Sequence, residues 1–138
     1  MQVTGLDCYN AAMGKSGRAT LTLDERRSSC PLACALDLVG DKWTLLLIRD
    51  MFRGKRRFSE FLDAPEGITT NILTDRLNRL VKAGIAERRR YQDRPPRYAY
   101  HLSDAGRSLD PVLRACLAWA EANIPDTASI LATLDQRD

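Results

Sequence analysis

Three groups of side chains in this 138-residue chain carry usable chemistry, and each implies a different kind of contact. Arg57, Arg90, Arg94 and Arg97 supply guanidinium groups, whose planar fork of donors suits phosphate better than the point charge of lysine does. A solvated surface charge is the plain alternative for each. Thr69, Thr70, Asn71, Thr74 and Asn78 fall within one short stretch, and 71, 74 and 78 share one side at helical spacing. An asparagine amide in that position suits bidentate contact with adenine, and an ordinary solvated helix face is the alternative. Cys30 stands before Pro31, a residue favoured at the first helical position. A thiol at that end meets backbone amides and positive partial charge, which favour the thiolate; a half-buried structural thiol is the alternative. Cys34 lies one turn further on, where a disulfide to Cys30 would need strain.

The remaining chemistry is sparse. Cys116 sits on the apolar side of the last helical stretch, where a packed thiol is expected, and Cys8 could be a resolving thiol only if its arm reaches Cys30 of either subunit. His101 is the only histidine, and the cysteine spacing fits no common zinc pattern, so no metal and no cofactor are expected. Asp75 can accept from a cytosine amino group or pair with Arg79 at i+4.

Composition bounds the rest. Apolar residues make up 44% and charged residues 28%, the balance of a globular chain of one domain. No apolar run approaches the roughly 20 residues that span a bilayer, and Met1–Gly17 has no apolar leader pattern. The four cysteines are expected as free thiols. The net charge of +3 is uninformative until it is divided. Residues 1–42 are neutral, residues 43–100 carry 13 basic against seven acidic side chains, and residues 101–138 carry three against six. Eleven of those 13 central cations are arginine, a concentration that points to nucleic acid.

The elements that would position these residues follow from periodicity and caps. Residues 1–29 read as an arm with a short turn or strand near Ala19–Leu23. Pro31 opens a helix in which Leu32, Ala35, Leu36 and Val39 recur before Gly40. Asp41 caps a second helix, Trp43 to about Phe52, apolar nearly all round and therefore buried. A short helix contains Phe58, Phe61 and Leu62. After the Pro65-Glu66-Gly67 turn, Thr69 caps a helix to Ala83 that ends at Gly84. Arg76 falls within its apolar arc, so its stem is expected to pack and its head to reach a carboxylate. Ile85–Tyr91 and Arg97–Leu102 read as strands joined by Gln92–Pro96. Ser103 caps a last long helix that Pro111 kinks or restarts, with Asp110 as a local cap, and residues 125–138 form a tail with one amphipathic turn at most. The fold class is mainly α with a small β-hairpin, a winged helix-turn-helix.

The run from Cys30 to about Trp119 resembles HxlR-type transcriptional regulators, winged-helix proteins related in architecture to MarR regulators. The matching residues include Gly40-Asp41-Lys42-Trp43, Arg57-Phe58-Ser59-Glu60-Phe61, Gly67-Ile68, Leu73-Thr74, Gly84-Ile85, Glu87-Arg88, Pro95-Pro96-Arg97, Leu102-Ser103 and Pro111-Val112-Leu113. The resemblance implies a bacterial cytoplasmic homodimer on a palindromic operator in double-stranded DNA, with helix 69–83 in the major groove and hairpin 86–102 as the wing. It implies a dimer built from the final helix (Leu113, Cys116, Leu117, Trp119 and Ala120) and the N-terminal segment, within a domain spanning 30–124. It also implies a sensor of oxidants or electrophiles at Cys30, with Cys34 as its neighbour. The chain departs from its relatives at Thr70, Asn71, Asp75 and Asn78, where they often carry Gln, Lys or Arg, so an operator sequence does not carry over. The expected function is thus a DNA-binding regulator and not an enzyme. A thiol enzyme of peroxide or disulfide chemistry, or a winged-helix module that binds protein, are the alternatives.

Overall fold

The computed structural model describes residues 21, 23 and 25–134. Cys8, most of the expected arm and the last four residues lie outside the described residues. Six helices and a hairpin follow in order: α1 (Pro31–Val39), α2 (Thr44–Phe52), α3 (Phe58–Leu62), α4 (Thr70–Ala83), β1 (Ala86–Asp93), β2 (Pro96–Leu102), α5 (Asp104–Arg107) and α6 (Asp110–Asn123), then a 3-10 turn at Leu131–Thr133. None of the described helices is long and apolar enough to cross a membrane. The molecule is mainly helical with a two-stranded antiparallel hairpin, the winged helix-turn-helix expected from the sequence.

Burial explains the arrangement. Leu47, Ile48 and Met51 of α2, Phe61 of α3, and Leu73, Leu77 and Leu80 of α4 form one core with Ile85, Tyr100, Leu102 and Leu113. The rings of Phe61 and Tyr100 meet edge to face at 6.5 Å, which fixes the hairpin base on the helices. Among the described residues two polar side chains are buried beside this core, Thr44 and Asp50. Asp50, 1% exposed, takes the Nε–H of Arg49 at 3.0 Å, and Arg49 grips Glu66 through two bonds of 3.0 Å. Those bonds pin the turn between α3 and α4 to α2, and they hold the Glu66 carboxyl below its usual pKa.

Asp41 ties α2 to α4. Its Oδ2 accepts from the amides of Trp43 (3.0 Å) and Thr44 (3.2 Å), while the Thr44 hydroxyl donates to Oδ1. The helix therefore begins at Thr44, with Trp43 at its backbone boundary and Asp41 capping from two residues further out. Oδ2 also accepts from Arg76 Nε at 2.8 Å, so the head of Arg76 finds its carboxylate 35 residues away. Partial burial would raise the Asp41 pKa. Hydrogen bonds from Thr44, Arg76 and Trp43, with the Arg76 charge, outweigh it and lower the value to about 2.

Three expectations change. The hairpin is tighter than Gln92–Pro96 suggested, because Gln92 pairs with Arg97 and Asp93 with Pro96, leaving only Arg94 and a cis Pro95 in the turn. Proline forbids a helix there but can open a strand. The last helix restarts near Pro111 as expected, with Ser108 and Leu109 between its two pieces and Pro111, lacking an N–H, in the first turn of the second, but the expected cap changes. Asp110 is inside that turn and is no cap; its carboxylate takes Arg114 Nε at 2.8 Å. In α1 only Val39 is buried, and Leu32 and Leu36 face outward. Ser103 caps α5 as expected, accepting from Gly106 N at 3.0 Å, and Gly106 itself is pressed so closely on the Ile85 carbonyl that a Cβ has no room.

Replacing Asp41 by alanine removes the α2 cap and the partner of Arg76, and should cost about 1–2 kcal/mol in urea unfolding at neutral pH. The folded pKa lies below the ordinary 3.8, so this contribution is complete above about pH 4 and fades as pH falls through about 2. The difference between wild type and Asp41→Ala should therefore close over that window; a constant difference down to pH 2 would contradict the ion pair.

Candidate nucleic-acid interface

The outer face of α4 is built by its inner face. Leu73, Leu77 and Leu80 are buried at helical spacing, which turns Thr70, Asn71, Thr74 and Asn78 outward, all exposed. Thr69 starts the helix by accepting from Ile72 N at 3.4 Å, and Gly84, at φ 88°, ends it in the left-handed conformation. The five candidates at 69–78 thus share one exposed surface of 14 helical residues and their cap. Two details qualify their chemistry. The Thr74 hydroxyl donates to the Thr70 carbonyl at 2.8 Å, and Asp75 holds both Arg76 (2.5 Å) and Arg79 (3.8 Å).

The wing brings the arginine candidates into two settings. Strand pairing places Arg90 opposite Tyr98 and Arg88 opposite Tyr100. The guanidiniums of Arg88 and Arg90 lie 4.5 and 5.6 Å from the Tyr98 ring centre, and Arg90 Nη2 donates to the Tyr98 hydroxyl at 3.1 Å. That bond, then the two positive charges, lower the phenol pKa. Arg90 also pairs with Asp93 at 3.7 Å, so it serves the wing's own structure. A bulge between Arg90 and Gln92 leaves Tyr91 without a register partner, and Arg57 lies 4.8 Å over its ring. Arg57 reaches the sheet through an antiparallel bridge to Ala99, reinforced by Tyr100 N donating to Arg56 O at 2.8 Å. Arg57 and Arg97 consequently line one cleft of about 360 Å³ with Tyr91 and Tyr98, and none of its lining residues is acidic. Arg94 stands apart in the hairpin turn, exposed. Tyr91, Tyr98 and Arg88 were not among the expected contact residues, although the alternation of Tyr98, Tyr100 and Leu102 onto one strand face was a signal in the sequence.

Not every central cation serves this surface. Arg49 holds Asp50 and Glu66, Arg76 holds Asp41, and Arg56 donates to the carbonyls of Met51 (2.7 Å) and Lys55 (2.9 Å). Three of the 13 therefore fasten the fold.

The thiols lie elsewhere. Cys30 is exposed at the start of α1 and its side chain makes no capping bond; Cys34 is half-buried with Sγ 3.4 Å from Ser28 O. Cys30, Cys34 and Cys116 are all free thiols, and Cys116 is exposed in the protomer. Around it on α6, Val112 and Trp119 are exposed, Leu117 and Ala120 are half-buried, and Leu113 is buried in the core of its own chain. Trp119 at 64% and Leu32 at 66% are the most exposed large apolar side chains among the described residues.

Comparison with known proteins agrees with this geometry. A family model described as HxlR-like helix-turn-helix matches residues 38–128. An uncharacterised helix-turn-helix transcriptional regulator of Synechocystis sp. is 43% identical over 86 residues, covering 62% of this chain and 64% of the relative, just under two thirds of that protein's length. The regulator YybR of Bacillus subtilis is 37% identical over 97 residues, covering 70% of this chain and 78% of the relative. Among solved structures, the redox regulator HypR in its reduced form superposes with a TM-score of 0.64 at 37% identity, over 68% of this chain and 93% of that one.

Proposed function

Because the chain belongs to the HxlR-like helix-turn-helix family and is a transcriptional regulator of the helix-turn-helix type, we propose that it binds a palindromic operator as a homodimer in the bacterial cytoplasm. The observation that carries this reading is the exposed, polar outer face of α4 beside a wing whose Arg94 and Arg97 have no carboxylate partner among the described residues. A helix of about 10 Å diameter enters the major groove, where each base pair shows its own donor and acceptor pattern. Arginines on an adjoining hairpin then reach flanking phosphates, which fix register without reading sequence.

Dimerisation rests on uncovered apolar surface. Leu32 and Leu36 on α1, and Val112 and Trp119 on α6, are exposed in the protomer, with Cys116 beside them on α6. Apolar side chains in such number favour association, and a twofold dimer presents two copies of α4 to two half-sites. Redox response is the finer part of the proposal. HypR is named a redox regulator, and Cys30 here is an exposed free thiol at the amide-rich end of α1. Diamide would join Cys30 to a second thiol, or a quinone would add to its sulfur, and either product would lower operator affinity.

Each part has its own measurement. In fluorescence anisotropy on DNA from upstream of its own gene, Arg94→Ala should weaken binding and reduce the slope of log affinity against log salt by roughly one unit. An unchanged slope removes Arg94 from the interface. Trp119→Asp should shift the protein from dimer to monomer in analytical ultracentrifugation, and a dimer that persists would place the interface off α6. Cys30→Ser should keep operator binding after diamide or quinone treatment that releases the wild type; release of the variant as well would refute Cys30 as the sensor.

A further inference from the structure

The outward face of α4 offers a narrower chemistry than its residue types suggest, a step that rests on the operator-binding reading above. Around the helix at 100° per residue, Asn71 and Asn78 share the centre of the exposed face, with Thr74 to one side and Asp75 to the other. Neither asparagine amide has a hydrogen-bond partner among the described residues, so both can pair in full with a base edge. The Thr74 hydroxyl proton is committed to Thr70 O at 2.8 Å, which leaves a methyl group and acceptor lone pairs to present outward. Asp75 is the only carboxylate on α4, the side-chain type best suited to accept from the cytosine amino group. Its Oδ2 is engaged by Arg76 at 2.5 Å and lies 3.8 Å from Arg79, which takes one of its two oxygens, offsets its charge and draws Arg79, the exposed guanidinium of this helix, toward it and away from guanine.

We propose that α4 selects A·T pairs: Asn71 and Asn78 each take N6 and N7 of an adenine, and the Thr74 methyl packs on the C5-methyl of a thymine. Seven residues of helix rise about 10.5 Å, and base pairs rise about 3.4 Å, so the two adenines lie about three steps apart in each half-site. The thymine lies between them, nearer the base read by Asn71, because Thr74 is only three residues further along.

Selection of bound duplexes from a randomised pool by the full-length protein, followed by anisotropy on the selected sequence, tests this. Wild type should enrich two adenines about three steps apart. Substituting 7-deazaadenine for either adenine, or deoxyuridine for the thymine, should weaken binding about 5- to 100-fold for a bidentate contact and less for the methyl. Asn71→Ala should abolish the penalty at one adenine only, Asn78→Ala at the other, and Thr74→Ser the penalty for deoxyuridine. Because the base analogues leave the protein untouched, folding of the variants does not decide the outcome. Selected guanines that Arg79→Ala randomises, or cytosines that Asp75→Asn randomises, would overturn the assignment. Salt-dependent binding without base preference would overturn it as well, while leaving DNA binding intact; absence of any duplex binding would strike the operator reading itself.

Discussion

The roll of α4 about its own axis is the constraint on which the outer surface depends, and one carboxylate does much to set it. Leu73, Leu77 and Leu80 limit the helix to a range of orientations, since burying them requires only that their arc face the core. Apolar burial is non-directional, so it does not by itself single out one angle within that range. The Asp41–Arg76 bond at 2.8 Å is directional and fixes the angle. Its partner groups belong to the cap of α2, so the start of the buried helix and the roll of the outer one are one arrangement. The Arg49–Glu66 pair does the same for the turn before α4. Between them these two arginines, neither on the exposed polar face of α4, aim the residues that are.

This changes the meaning of the central positive charge. A surplus of arginine over residues 43–100 reads as a field for an anionic partner, yet Arg49, Arg56 and Arg76 direct their heads into the protein. What remains outward is concentrated on the wing, where Arg88 and Arg90 bracket the Tyr98 ring and Arg57 covers Tyr91. Stacking on a ring stiffens the hairpin while leaving edge donors of the guanidinium available for other acceptors.

Elements whose signals are local were legible in the sequence. Thr69, the leucine spacing and Gly84 define α4 completely, and Tyr100 and Leu102 reveal the buried side of β2. What depended on register or distance was not. The Arg90–Tyr98 pairing follows from a bulge at Tyr91 that no residue type announces, and the hairpin turn shrank to two residues because Asp93 and Pro96 pair. Arg76 was expected to find a carboxylate, but choosing Asp41 requires knowing that α2 begins beside α4. Periodicity in α1 showed an apolar side without showing whether its own chain would cover it; Leu32 and Leu36 remain outside. Sequence pattern reports amphipathicity, and only the fold reports which apolar surface is left over.

That leftover surface bears on how a thiol distant from α4 could alter its grip on DNA. α1 carries Cys30 at one end, the uncovered Leu32 and Leu36 along its length, and Gly40 at the other end. The next residue is Asp41, which holds Arg76 of α4. A displacement of α1 therefore has a short, contiguous route to α4, through one turn and one ion pair. In a twofold dimer packed on α1 and α6, the distance between the two copies of α4 must match half-sites about 34 Å apart, a tolerance that rigid elements transmit and do not absorb. A group attached at Cys30 need not touch DNA or unfold anything to act. In the proposed dimer it has only to change how α1 packs against its partner, because the spacing of the two copies of α4 would be set there, and the Asp41–Arg76 bond ties α4 to that arrangement.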